Sequence, residues 1–141
     1  MNKPSWFFWT VAVLALLWNA FGVFDFWMTS TGDEQYLADY DPQIIEWIIG
    51  FPIWRKAIWA ASVASGVFGA LALLARRRVA VPLLLLYFAL MVFGFAGHDI
   101  LLADGVKMYG ALGLIMSAAL IAVAGMQWLY ADRAAKKGYL A

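Results

Sequence analysis

Apolar residues dominate the chain, and charges punctuate it at regular intervals. Residues 4–24, 57–75, 79–98 and 108–131 carry no charged side chain. Each run is close to the ~20 apolar residues that a helix rising ~1.5 Å per residue needs to cross a ~30 Å hydrocarbon core. None alternates in the manner of a barrel strand. The pattern predicts an all-α polytopic membrane protein. It forms one membrane domain over residues 1–141, with four transmembrane helices in an up-down bundle at about 5–28, 54–75, 79–102 and 107–130. The first run is too long for the h-region of a secretory signal and is expected to stay as an uncleaved anchor. Only the loop over residues 29–53 has appreciable length. Its first half is acidic and turn-rich. Its second half, Gln43 to Pro52, is too apolar for open water and too short to span, so it reads as a short interfacial helix stopped by Gly50 and Pro52.

Charge then orients the bundle. Lys3, Arg76, Arg77, Arg78, Arg133, Lys136 and Lys137 fall on one side, with Asp132 as the one acid among them. The opposite side carries Asp25, Asp33, Glu34, Asp39, Asp41, Glu46, Asp99 and Asp104, with only Arg55, Lys56 and Lys107 as bases. Short loops rich in Lys and Arg stay cytoplasmic, so both termini are expected inside a bacterial inner membrane. Trp6, Trp9, Trp128 and Tyr130 fall at the inner boundary, and Trp27, Trp54, Trp59 and Tyr109 near the outer one, as interfacial aromatics do. Trp18 lies close to mid-span and is expected to pack inside the bundle.

Composition narrows the chemistry. The 141 residues are 65% hydrophobic and 13% charged, with net charge +1 and no Cys, and the mean hydropathy is +0.79. These values exclude a disordered chain, a basic nucleic-acid binder, disulfides and thiolate chemistry. With one His and scattered carboxylates, no metal-ligand spacing emerges. No phosphate loop or nucleophile motif is present, so neither a cofactor nor an enzymatic activity is expected.

Two features remain. Small residues recur at helical spacing in the second run (Ala57, Ala61, Ser65, Gly69, flanked by Ser62, Gly66, Ala70) and in the fourth (Gly110, Gly113, Ser117, Ala124). In lipid, such faces let helix backbones approach and mark packing surfaces within the chain or between copies. Polar groups also sit inside or at the ends of the runs: Asn19, Asp25, His98 and Asp99. Asp25 and His98 each lie ~12 Å beyond the middle of their runs, so these four residues form a candidate polar pocket opening outward. Asp99 is turned ~100° from His98 on an α-helix, so both can face one site only if the helix loosens there. Gly94 and Gly97 would allow that.

The opening Phe8-Trp9, the stretch Leu16-Leu17-Trp18-Asn19-Ala20-Phe21-Gly22-Val23, the loop ending Pro52-Ile53-Trp54 and the Ala/Ser/Gly-rich second run resemble one family. Its members are small four-span bacterial inner-membrane proteins, many of them labelled "sugar transporter". The resemblance covers roughly residues 5–95, implies a four-span membrane fold and brings no site residues with it. In architecture the chain is also similar to the small multidrug resistance transporters, four-span dimers with a membrane-embedded Glu in the first span. Here that span has Asn19 at depth and no Glu. Two functions follow as expectations. One is a non-enzymatic accessory or scaffold subunit that binds a larger membrane complex or lipid through its small-residue faces and its interfacial loop, as a homo-oligomer or within that complex. The other is a small-solute, cation or proton carrier working as a homodimer through Asn19, Asp25 and His98.

Overall fold

The computed structural model describes residues 1–141 and contains six α-helices and no strand: α1 Trp6–Ser30, α2 Glu34–Leu37, α3 Pro42–Ile49, α4 Ile53–Leu74, α5 Ala80–Val92 and α6 Gly105–Lys136. A π-helical segment, Phe93–Ile100, continues α5 without a break. Four helices are therefore long and apolar enough to cross a membrane: Trp6–Ser30, Ile53–Leu74, Ala80–Ile100 and Gly105–Lys136. They match the four charge-free runs. The largest difference is at the end of α6, which continues to Lys136 rather than stopping near residue 130. The extra turns are polar, and Lys136 pairs with Asp132 one turn earlier at 2.6 Å. A hydropathy run reports the apolar length of a helix and is blind to a polar extension held by such pairs.

Local chemistry sets the boundaries. Beyond α1 the chain turns at Gly32, whose φ of +68° an L side chain rarely adopts. Asp33 then caps α2 by accepting the Tyr36 N–H, and Asp41 caps α3 by accepting from Gln43, with Pro42 at the first helical position. The short helix expected in the second half of this loop is thus present, preceded by one extra turn.

The long helices pack in the order α1, α4, α5, α6. The basic end is knotted by its termini. Asn2 donates from its backbone to Gly138 and from its side chain to Lys137. Ala141 exchanges backbone hydrogen bonds with the Arg76 carbonyl and the Arg78 N–H, both at 2.7 Å. Beneath this knot lies the apolar core, built on Phe8, Leu73, Leu84, Ala124 and Leu140.

Small residues admit the closest contacts, though not along the whole of the expected rows. Ser62, Ser65, Gly66, Gly69 and Ala70 are buried, and a Cβ on Gly69 would lie 2.7 Å from the Leu84 side chain. Ala57 and Ala61 point outward instead. A four-residue row drifts about 40° per step around a 3.6-residue helix, so a row that starts outside is carried inside by its third member. In α6, Ser117 and Ala124 are buried. Gly110 packs against no other helix of this chain: no atom beyond its own stretch of helix lies within 4 Å of where its Cβ would be. Its φ of +65° and ψ of −177° place a break in the helix, in a backbone region essentially confined to Gly. The nearest atoms that a Cβ on Gly113 would meet belong to Tyr109 of the same helix. Trp18 packs inside the bundle only in part: it is 41% exposed, although its indole reaches the buried Tyr87 hydroxyl. Its neighbour Asn19 takes the inward position against Gly66, and adjacent residues on a helix cannot share a face.

Candidate functional site: a buried charge cluster at the acidic end

The π segment is where the fold departs most from regular helix. Its wider i→i+5 turn brings Gly94, His98 and Asp99 all to the buried side. Arg55, in the first turn of α4, reaches across to it. The guanidinium grips Asp99 with both arms, Nε to Oδ1 and Nη2 to Oδ2, each at 2.8 Å. Gly94 makes this approach feasible, since a Cβ there would stand 3.0 Å from the Arg55 Cζ.

Asp99 is fully buried, and Arg55 and His98 are each 5% exposed. In a helix apolar enough to cross a bilayer, such charges are costly unless paired and hydrogen-bonded. Here the pairing is complete. Oδ1 also accepts from His98 Nδ1 at 2.7 Å, and Oδ2 from the Tyr109 hydroxyl at 2.8 Å. A carboxylate offers about four lone-pair positions, and four donors occupy them. Because an ionised carboxylate only accepts, the network assigns the His98 proton to Nδ1, which leaves Nε2 without a protein partner.

Aromatic rings wall the cluster. Phe51 and Phe95 lie 5.4 and 5.8 Å from the Arg55 Cζ, and Phe51 and Trp54 meet the His98 ring edge-on at 4.9 and 5.0 Å. Trp47 of α3 donates to the Ala103 carbonyl at 3.0 Å and stacks edge-on against Tyr109. α3 is thereby clamped over the cluster.

The four polar residues singled out in the sequence do not share one pocket. His98 and Asp99 belong to the cluster. Asn19 sits six residues deeper than Asp25, roughly 9 Å along the helix. It donates to the Ala15 carbonyl at 2.8 Å and to Gln127 Oε1 of α6 at 2.7 Å, tying α1 to α6. Asp25 accepts the Tyr36 hydroxyl at 2.6 Å. Equal depth along two helices does not imply a shared azimuth, and here α1 turns Asp25 toward α2. Arg55 and Tyr109 enter the cluster unannounced, having counted only as an outer charge and an interfacial aromatic. The available signal was Arg55 itself, a base near the start of an apolar helix, level with a His-Asp pair ending another.

The Asp25–Tyr36 tie carries a pH signature. Burial of the ring, and then the hydrogen bond and negative charge of Asp25, push the Tyr36 hydroxyl well above its ordinary pKa of 10.0. The native state thus favours the neutral phenol. This contribution is fully present below pH 10 and is lost as pH rises through the raised native value. Tyr36→Phe should cost about 1 kcal/mol at neutral pH. In detergent melts, wild type should lose stability above about pH 10 more steeply than Tyr36→Phe. Identical alkaline profiles would refute the assignment.

No three His, Asp or Glu side chains converge to hold a metal ion. The arrangement can do two things: lock α4, α5 and α6 together at one end, and present an imidazole oriented by a carboxylate. Comparison with family models, curated proteins and solved structures gives no match.

Proposed function

We propose that this chain is a small multi-pass protein of a bacterial inner membrane, with both termini cytoplasmic, acting as a non-enzymatic accessory subunit. It would dock through helix faces on a larger membrane complex or on a second copy of itself. The orientation rests on the basic residues gathered with the knotted termini. The observation that carries the reading is the surface of α6. Of its apolar window only 11% is buried, against 39% for α4. The outward side between Gly110 and Leu129 mixes the small residues Ala111, Ala118, Ala119 and Ala122 with Leu112, Ile115 and Met116, all exposed. Ala118 and Ala122 stand one turn apart, the spacing that lets a neighbouring helix approach closely in lipid.

Native mass spectrometry of protein released in mild detergent tests this. Wild type should appear with a stoichiometric partner or as an oligomer. Ala118→Trp should lower that species about tenfold, equivalent to about 1.4 kcal/mol of association, without loosening the monomer. A wild type that is always monomeric would refute the reading. One observation favours the carrier alternative, the Asp99-oriented His98 with its free Nε2, which suits proton exchange. Proton-coupled flux in vesicles that His98→Ala abolishes would establish it instead.

A further inference from the structure

We propose that a cleft at the basic end binds the phosphate group of an anionic phospholipid. This inference rests on the membrane placement above and concerns a part of the molecule distant from the charge cluster. The cleft, about 250 Å³, lies between the start of α1 and the end of α6 and is lined by Ser5, Phe7, Tyr130, Arg133, Lys137 and Tyr139. That volume is below the ~300–1,000 Å³ of pockets that enclose whole drug-sized ligands, and it suits a headgroup whose acyl chains stay outside.

The lining has one sign of charge. Arg133 and Lys137 are four residues apart on α6 and so share a face. Neither forms an ion pair, because the nearby Asp132 is taken by Lys136. Ser5 precedes α1 without using its hydroxyl to cap it, and the first turn of α1 carries no acid, so nothing there offsets the two cations. Phe7 and Tyr130 meet edge-on at 6.3 Å to form an aromatic wall. Two unpaired cations beside interfacial aromatics, at the cytoplasmic headgroup level, match the chemistry of a phosphodiester flanked by glycerol and acyl carbons. A free phosphate would use the cations but not the aromatic wall.

The test uses the full chain in mild detergent. It is titrated with phosphatidylglycerol, phosphatidylcholine or inorganic phosphate, with bound lipid read by native mass spectrometry. Phosphatidylglycerol should bind at least about tenfold more tightly than phosphatidylcholine, and salt should weaken it. Arg133→Gln/Lys137→Gln should erase the preference while melting like wild type, since both side chains are exposed. Lys136→Gln, whose partner is Asp132, should keep it. Equal binding of the two lipids, or a double variant that binds like wild type, would overturn the proposal. Inorganic phosphate binding as tightly as the lipid would overturn the lipid assignment. Recovery of folded, monodisperse protein from detergent-free buffer would instead overturn the membrane placement, so the two failures are distinguishable.

Discussion

Asp99→Ala should destabilise the bundle by about 3–5 kcal/mol, the range found when one member of a buried ion pair is removed. The loss is not the worth of a single contact. Four donors converge on the Asp99 carboxylate, and removing it leaves the Arg55 guanidinium charged, buried and without an anion. Arg55→Met should act in the same direction, stranding the carboxylate. The double variant Arg55→Met/Asp99→Leu removes both charges together and should recover the part of the loss due to the stranded charge, while His98 and Tyr109 still lack their acceptor. Denaturant or thermal unfolding in mild detergent reads all three. A double variant no more stable than Asp99→Ala would mean that charge pairing is not what holds the acidic end.

Gly105→Ala is the second expected large effect. Its Cβ would overlap the Asp99 carbonyl oxygen and stand 2.7 Å from the carbonyl carbon. Both are backbone atoms, so no rotamer change relieves the clash, and either the π segment or the start of α6 must move. Forcing added volume into a packed site costs about 1–3 kcal/mol, and this position should reach or pass the upper figure. Gly97→Ala is the matched control. It lies inside the π segment, and the nearest atoms to its Cβ would be those of the Phe93 ring, at 3.5 Å, an ordinary contact. It should change stability by no more than about 0.5 kcal/mol in either direction, and gain is the expected sign because Ala favours helix over Gly. If both variants melt alike, close approach at Gly105 is not limiting.

The site was half legible beforehand. His98 and Asp99 stood out because ionisable groups at the end of an apolar run need a reason, and the requirement that the helix loosen to present both was readable from their adjacency. The π segment meets that requirement. Their partners were hidden, since Arg55 and Tyr109 lie 44 and 10 residues from Asp99, and no periodicity links positions on different helices. Asn19 and Asp25 show the converse. Their depth was readable, but the neighbours that claim them, Gln127 and Tyr36, depend on how α1 is rotated.

By itself the sequence determined the number of long helices, the short helix between the first two and the segregation of charge to opposite ends. These follow from properties that add along the chain: apolar length against bilayer thickness, capping residues and the spacing of charges. Tertiary structure alone decided which face of each helix turns inward. That choice set Ser65 and Gly69 inside but Ala57 and Ala61 outside, Trp18 partly out and Asn19 in, and Arg55 against Asp99. The reason is that a helix uniformly apolar around its circumference carries no preferred face of its own. Its rotation is settled only when small residues, buried hydrogen bonds and one ion pair are satisfied together with its neighbours.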